Sequence, residues 1–211
     1  MDQLTLLLSS SPCKSSVVRT VWRVGLALLI VAALSAAVLA SHRRFPSDKT
    51  PDGAYLRIAQ AVDEDRVRDM FPYLETDAQW ASFTIKDARA KACARIRASY
   101  PKGQGEDLLA AYSPLAELAD GADVFAVFAR QKGWLAQLRR DLSAVSAVEV
   151  QGERASVVTV RGTRYAFRVR DNGIWGLTLF TAALVSEAER ASRDLSVVDA
   201  AADDYARSKA P

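Results

Sequence analysis

The chain has 211 residues, half of them hydrophobic, with 28 Lys and Arg against 25 Asp and Glu. The net charge of +3 is unevenly distributed, because residues 1–49 hold six basic and only two acidic side chains. Residues 50–211 hold 22 basic and 23 acidic side chains and are nearly neutral. A nucleic-acid-binding domain needs a basic surface, so this balance argues against nucleic acid as a partner.

The most informative segment is the apolar run at residues 24–40, in which Ser35 is the one polar side chain. In a helix this run covers about 25 Å at 1.5 Å per residue, close to the thickness of a bilayer core. A soluble helix of this length normally carries a polar stripe, which this run lacks. We therefore predict a transmembrane helix over residues 17–41. A cleaved signal peptide and a buried hairpin helix are the alternatives.

The predicted transmembrane helix divides the rest of the chain into three segments. Residues 1–16 are polar and Ser-rich and are predicted to be a disordered cytoplasmic tail. Residues 42–52 contain two prolines and several charges and are predicted to be a linker. Residues 53–211 are large enough for one extracytoplasmic domain with its own core.

The orientation and the source are inferred from basic residues. Three Lys and Arg flank the apolar run on each side, so their number does not decide the orientation. Long domains are translocated largely regardless of charge, so we expect the N-terminus in the cytoplasm and the domain outside. Arg outnumbers Lys 21 to 7 and Ala is abundant, which is typical of a GC-rich bacterial genome. The expected location is therefore the bacterial inner membrane.

Helical periodicity dominates the first half of the domain. Pro101 and two nearby glycines end the longest helix, and Gly133 marks a kink or a close packing contact inside the last one. The predicted helical segments are residues 55–62, 67–73, 76–100, 106–118 and 123–142.

An alternation of period two replaces this pattern after residue 145. Val148 and Val150, then residues 157–160, 165–169 and 175–179, are predicted strands separated by turns. Asn172-Gly173 tolerates the positive φ angles of a type I′ hairpin turn. The fold class is therefore α+β, with a four-strand antiparallel meander and one apolar face covered by helices.

A long helix is predicted after the sheet. Its apolar residues step alternately by four and three over three heptads and form a thin, Ala-rich seam. The seam is expected to pack on the chain's own domain or, alternatively, on a partner helix, including that of a second copy. The residues of this seam are Leu184, Ala188, Ala191, Leu195, Val198, Ala202 and Tyr205.

Several kinds of catalytic or metal chemistry are excluded from the domain. His42, the only histidine, lies beside the apolar run, which excludes Ser–His–Asp and Cys–His catalysis and a His–Cys zinc site in the domain. Cys13 and Cys93 lie on opposite sides of the run and cannot pair across a membrane. The acidic cluster at residues 63–65 has no further oxygen ligands at regular spacing. We expect no catalytic residue, metal or cofactor.

One set of residues is a candidate ligand pocket between sheet and helix, although aromatics at these spacings are more often core residues. Asp87, on the same helix as two of the aromatics, is a candidate general base of raised pKa, or a partner of Lys91 in a surface ion pair. Basic residues around that helix, including Arg89 and Arg95, are interpreted as a solvated surface. The pocket candidates are Trp80, Phe83, Asp87, Tyr165, Phe167 and Trp175.

Residues 123–180 combine a helix with a sheet that ends in YAFRVRDNGIWGL at residues 165–177. This pattern resembles the nuclear-transport-factor-like superfamily of cone-shaped α+β domains, whose members often close with an apolar strand, a turn and a Gly-x-Trp-type strand. Enzymes of that superfamily use an Asp/His or Tyr/Asp pair inside the cone. Because the domain has no histidine, the resemblance implies a binding or scaffolding member.

The sequence thus favours a membrane-anchored interaction or scaffolding domain of the cell envelope, with no enzymatic activity. Its expected partners are the membrane and a protein, or a second copy bound through the C-terminal helix. The alternatives are a small-ligand-binding cone and, less favoured, an isomerase-like enzyme with Asp87 as base.

Overall fold

A computed structural model describes residues 46–208 of the chain. The described residues all belong to one compact unit of the chain. The cytoplasmic tail expected at residues 1–16 and the transmembrane helix expected at 17–41 lie outside the described residues. Within residues 46–208, no helix combines the length and the apolar character needed to cross a membrane.

The described part of the chain has the predicted α+β class, with helices first, then a four-strand antiparallel sheet and a long C-terminal helix. In chain order the elements are α1 (Pro51–Asp63), a 3₁₀ helix (Val67–Tyr73), α2 (Thr76–Ser99), α3 (Glu106–Ala116), α4 (Gly121–Gln131), α5 (Trp134–Asp141), β1 (Val145–Gln151), β2 (Arg154–Thr159), β3 (Arg164–Val169), β4 (Trp175–Leu177) and α6 (Thr181–Ser208).

One predicted helix, over residues 123–142, is in fact two. Gly133 separates α4 from α5 with a φ of +72°, a left-handed conformation that glycine adopts without a side-chain penalty. The prediction missed the break because the apolar spacing continues across it. Beyond the break, Trp134 stacks on Phe180 with 4.7 Å between the ring centroids.

The segment before α1 contacts the domain. Thr50 caps α1, since its Oγ1 accepts a hydrogen bond from the backbone N of Gly53 at 3.3 Å. Gly53 permits a close approach, because a Cβ there would lie 1.9 Å from the carbonyl oxygen of Ser47. Arg57 Nη1 donates to the carbonyl of Pro46 at 2.7 Å. The fold therefore begins before Gly53, the residue at which the sequence pattern placed its start.

The four strands form one antiparallel sheet in chain order. On its inner face Val157 pairs with Tyr165, and Phe167 pairs with Leu177. These four side chains are buried. Val148 of the edge strand β1 pairs with Val157 but stays 38% exposed. The inner face is thus covered at its centre and open along β1.

The hairpin between β3 and β4 has the predicted location but another turn. Asp65 is the only described non-glycine residue with positive φ, so Asn172 does not adopt the type I′ conformation. Gly173 has a φ of +80°, its N donates to the carbonyl of Arg170 at 2.8 Å, and Arg170 N donates to Ile174 O at 2.9 Å. This is a three-residue loop that ends in a left-handed glycine.

The core fills the space between the inner face of the sheet and the helices. Phe125 of α4 is fully buried, and its ring centroid lies 6.4 Å from that of Phe71 and 5.8 Å from that of Phe180. Tyr55 of α1 packs on Tyr165 of β3 at 5.4 Å. Burying each such side chain stabilises the fold by roughly 1.5–3 kcal/mol.

The two longest helices, α2 and α6, run side by side in the same direction. Glu75, next to the first residue of α2, contacts Thr181 at the start of α6. Arg95 near the end of α2 contacts Asp203 near the end of α6. With 24 and 28 residues, the helices are about 36 and 42 Å long. On its other sides α2 also packs against α3 and α4.

Glu75 joins the sheet to both of these helices and is only 5% exposed. Its Oε1 accepts from Arg168 Nη1 on β3 at 2.6 Å, and its Oε2 accepts from Thr181 Oγ1 at 2.7 Å. Its backbone N donates to the carbonyl of Leu177 at 3.1 Å. Gly176 makes this approach possible, because a Cβ there would lie 2.7 Å from Glu75 Cα. We call this contact the Glu75 junction.

Replacing Glu75 tests the importance of this junction for stability. Glu75→Ala should lower the free energy of unfolding by about 2 kcal/mol, because Arg168 and Thr181 lose a buried, charged acceptor. Glu153→Ala, at an exposed acidic position in the β1–β2 turn, should change it by less than about 0.5 kcal/mol. Urea unfolding followed by circular dichroism measures both, and equal losses would contradict the prediction.

Candidate functional site

The six residues predicted to line one ligand pocket lie in two separate places. Trp80, Phe83 and Asp87 are on the exposed side of α2, where Trp80 is 66% and Phe83 is 39% exposed. Tyr165, Phe167 and Trp175 belong to the core, and none is more than 7% exposed. Within residues 46–208 the structure therefore does not bring the two groups into one cavity.

The physical reason lies in how α2 packs. The sequence pattern assigned the core-facing side of α2 to its aromatic residues, but the helix packs mainly through small side chains on another face. Its buried apolar residues are Ala78, Ala81, Ile85, Ala88, Ala92, Cys93 and Ile96. Alanines allow the neighbouring helices to come close, so the bulky Trp80 and Phe83 remain at the surface.

Trp175 has a structural role in the sheet. Its Nε1 donates to the carbonyl of Lys49 at 3.1 Å, and its backbone N donates to the carbonyl of Asp48 at 3.4 Å. The indole is nearly fully buried between this segment and the core. Trp175 therefore fixes the segment that precedes α1 against the last strand.

Tyr165 is buried, and its hydroxyl has no hydrogen-bond partner among the described residues. Burial, together with smaller contributions from the neighbouring Tyr55 and Asp141, raises the pKa of Tyr165 to about 12. Burial also raises the pKa of Tyr55, whose hydroxyl donates to the carbonyl of Ser143 at 2.7 Å. Tyr165 is thus held in its neutral form in the core.

Asp87 lies in an exposed position on α2. Its side chain is 64% exposed, and its nearest cation is the Nζ of Lys86 at 4.0 Å. The ion pair expected with Lys91 is not formed, and Lys91 forms no ion pair with any described residue. Asp87 and Lys91 are therefore two weakly engaged opposite charges, one turn apart on the same surface.

Two arginines of α2 contact α6; Arg95 keeps a side chain that is 39% exposed, whereas Arg89 is not the solvated residue that the sequence suggested. Arg89 is only 9% exposed, its Nη2 lies 2.7 Å from Asp194 Oδ2, and its guanidinium lies 4.1 Å from the centre of the Tyr112 ring. Arg95 Nε lies 3.5 Å from Asp199 Oδ1. Both arginines tie α2 to α6, so they belong to the packing of the domain.

The seam predicted along the C-terminal helix faces α2 of the same domain. Five of its residues are at most 7% exposed, and Leu195 and Tyr205 are half-buried. Tyr205 packs on Tyr100 with 5.0 Å between the ring centroids. Most of the seam is therefore covered within the chain, although Ala188 and Leu195 reach open grooves beside it. The residues of the seam are Leu184, Ala188, Ala191, Leu195, Val198, Ala202 and Tyr205.

An open groove lies between α2 and α6, beside the exposed Trp80. It has a volume of about 600 Å³ and is mostly apolar. A second, smaller groove of about 410 Å³ lies further along the same two helices. Residues lining the first include Trp80, Ala81, Thr84, Val185, Ala188 and Ser192, and those lining the second include Lys91, Ala94, Ala98 and Leu195.

Sequence reasoning missed these grooves, although α2 contained a signal for them. One face of α2 is apolar and packs on the core. The opposite face also carries a tryptophan and small residues, which the core contact does not require. We define the outer stripe of α2 as its solvent-facing row with spacing four, three, four, three, four. The outer stripe consists of Trp80, Thr84, Asp87, Lys91, Ala94 and Ala98, all of which are exposed.

The acidic cluster at residues 63–65 is engaged in ion pairs. Arg66 pairs with Glu64, and Arg139 Nη2 lies 2.6 Å from Asp65 Oδ1. Among the residues that the structure describes, no three His, Cys, Asp or Glu side chains are grouped so that they could hold a metal ion. Two of the three carboxylates, Glu64 and Asp65, therefore have basic partners at the surface.

Comparisons with protein-family models, curated proteins and solved structures find no match to this chain.

A pair of tryptophan variants separates the surface residue from the core residue. Trp80→Ala should change the free energy of unfolding by less than about 0.5 kcal/mol, because the side chain is mostly exposed. Trp175→Ala should lower it by about 3 kcal/mol, since it leaves a cavity and frees the Lys49 carbonyl. Chemical unfolding of the purified chain measures both. A large loss for Trp80→Ala would show that this residue is structural.

Because the pKa of Tyr165 is raised in the folded chain, we expect the free energy of unfolding to fall at alkaline pH. Its pKa is about 12 in the folded chain and about 10 in an unfolded one, so its contribution is complete below pH 10 and is lost as the pH rises towards 12. Tyr165→Phe cannot ionise, and its free energy of unfolding should fall less steeply over that range. Unfolding measured between pH 9 and 12 tests this, and identical pH profiles would contradict it.

Proposed function

We propose that this chain is a single-pass, membrane-anchored domain of the bacterial cell envelope that acts by binding another protein. In this proposal residues 17–41 are the anchor, the N-terminus is cytoplasmic and the domain lies outside the inner membrane. The uninterrupted apolar run at residues 24–40 supports the anchor. The near-neutral charge of residues 50–211 fits a protein partner better than a polyanion.

The observation that carries the proposal is the exposed Trp80 beside the groove between α2 and α6. Tryptophan is among the residues that most often dominate binding energy at protein interfaces. Trp80 is 66% exposed and stands 6.4 Å from the half-exposed ring of Phe83. An exposed aromatic pair next to an apolar groove is an uncommon feature on a protein without partners.

Phe83, the aromatic neighbour of Trp80, is held in place by two other parts of the fold. Phe83 packs edge-on against Phe71, with 5.7 Å between the ring centroids. Gly121 lies directly against it, because a Cβ at Gly121 would stand 2.9 Å from the Phe83 ring. A rigid aromatic anchor loses little conformational entropy on binding. This preorganisation supports a binding role for the surface.

The alternative of a ligand-binding cone required Trp80, Trp175 and Tyr165 in one cavity, and the alternative of an isomerase-like enzyme used Asp87 as a base beside the aromatic residues of α2. Trp80 and Asp87 are on the solvent side of α2, whereas Tyr165 is buried against Tyr55 of α1. The resemblance to nuclear-transport-factor-like domains remains a prediction. We therefore base the function on the outer surface of α2 and α6.

Site-specific photo-crosslinking of the full chain in bacterial cells tests this function. The photoreactive amino acid p-benzoylphenylalanine replaces Trp80 in one variant and Val160, which is 65% exposed on the β2–β3 turn, in the control. We expect a protein adduct from position 80 alone. The adduct should sediment with the membranes and be degraded by protease added to spheroplasts.

Each readout can contradict one part of the proposal. Absence of any adduct at position 80, or equal adducts at both positions, would refute binding through the groove. An adduct that stays in the supernatant without detergent would refute the anchor, and one that resists protease in intact spheroplasts would refute the orientation.

A further inference from the structure

The outer stripe of α2 has a sequence that complements itself when it is reversed. Its centre lies midway between Asp87 and Lys91. An antiparallel second copy of α2, related by a two-fold axis through that centre, places Trp80 opposite Ala98, Thr84 opposite Ala94 and Asp87 opposite Lys91. Every apposition thus pairs a larger side chain with a smaller one, or an acid with a base.

The charges at the centre of the stripe favour this apposition. Within the described residues, the nearest cation to Asp87 is Lys86 at 4.0 Å, and Lys91 forms no ion pair. The two-fold axis gives each Asp87 the Lys91 of the other copy, so two reciprocal ion pairs form. A parallel alignment in the same register would instead place Asp87 opposite Asp87 and Lys91 opposite Lys91. Charge therefore selects the antiparallel arrangement.

The shapes of the two grooves agree with this arrangement. The stripe carries its one large side chain, Trp80, at one end and Ala94 and Ala98 at the other. The groove at the alanine end has a volume of about 410 Å³ and is also lined by Leu195 and by the ion pair of Arg95 and Asp199. In the antiparallel arrangement Trp80 of each copy faces that groove on the other copy. A side chain that projects from one helix and fills a groove on the other is the general form of helix packing.

We propose that a second copy of this chain binds along the outer stripe of α2, in an antiparallel, two-fold symmetric dimer. This inference rests on the proposed function and names the partner that the Trp80 surface binds. The interface is isologous, since the same patch serves both subunits. It differs from a dimer through the C-terminal seam, because α2 of the same chain covers most of that seam and Leu195 is the one seam residue in the groove at the alanine end.

Charge reversal in the full-length chain, purified in a mild detergent, tests the arrangement. Sedimentation over a range of concentrations measures the dimer dissociation constant. Asp87→Lys and Lys91→Asp should each raise that constant roughly tenfold or more, because each converts two attractive pairs into repulsive ones. The double variant with both substitutions restores opposite charges and should return the constant to roughly the unsubstituted value. Glu153→Lys, on the distant β1–β2 turn, is the matched control.

Trp80→Ala provides a second, uncharged readout on the same dimer. It should weaken the dimer by roughly tenfold or more without changing the far-ultraviolet circular dichroism spectrum. Recovery of the dimer in the double charge variant is the decisive result, because neither misfolding nor a change in net charge produces it.

The outcomes distinguish this inference from the proposed function. A chain that stays monomeric at every concentration, while position 80 forms an adduct with a different protein, overturns the dimer and leaves the binding function intact. A dimer that is unaffected by the single reversals, or is not restored by the double one, overturns the α2 interface. Adducts at position 80 of twice the mass of the chain, together with charge rescue, support it.

Discussion

The parallel packing of α2 on α6 is the constraint on which the rest of the domain depends, and the Glu75 junction sets it. One buried carboxylate accepts from the sheet through Arg168 and from α6 through Thr181, at the point where α2 begins. Because Gly176 has no side chain, the strand and the helix start can approach within contact distance. The register of both long helices is thereby determined at one end.

Small side chains extend this register along the helices. Ala81, Ala88 and Ala92 on α2 and the alanines of the seam on α6 let the two backbones come close, and Arg89 adds a nearly buried ion pair with Asp194. Close packing through alanines leaves bulky residues without a place in the core. Trp80 and Phe83 are therefore at the surface because α2 and α6 pack through small side chains. The exposed aromatic surface is thus a consequence of how the core is packed.

The sequence predicted the elements of this fold well where the signal is local. The switch from helical to alternating periodicity near residue 145 and the hairpin at Gly173 are visible in a window of a few residues. The break at Gly133 was missed as a full interruption because apolar residues recur on both sides of it. The type I′ turn predicted at Asn172 was also wrong. The same residues form a three-residue loop in which only Gly173 has a positive φ.

The candidate site was harder to predict, because it depends on which face of α2 is buried. Aromatic residues on a helix usually face the core, so Trp80 was assigned to the interior together with Trp175. Arg89 was assigned to the surface because of its charge. In the structure it forms an ion pair with Asp194 and lies over the ring of Tyr112, which belong to two other helices. Such long-range partners leave no trace in the residues next to Arg89.

Trp175 also links the start of the domain to its last strand, through the carbonyl of Lys49. Tension applied to the chain upstream of Pro46 would load this bond and the bond from Arg57 before it reached the cap of α1. Loss of these two bonds, and of the bond from Trp175 N to the carbonyl of Asp48, would detach a few residues and expose a buried indole to water while the helices stayed packed. The first event under mechanical load would then be a small, reversible detachment that quenches or shifts the emission of one tryptophan.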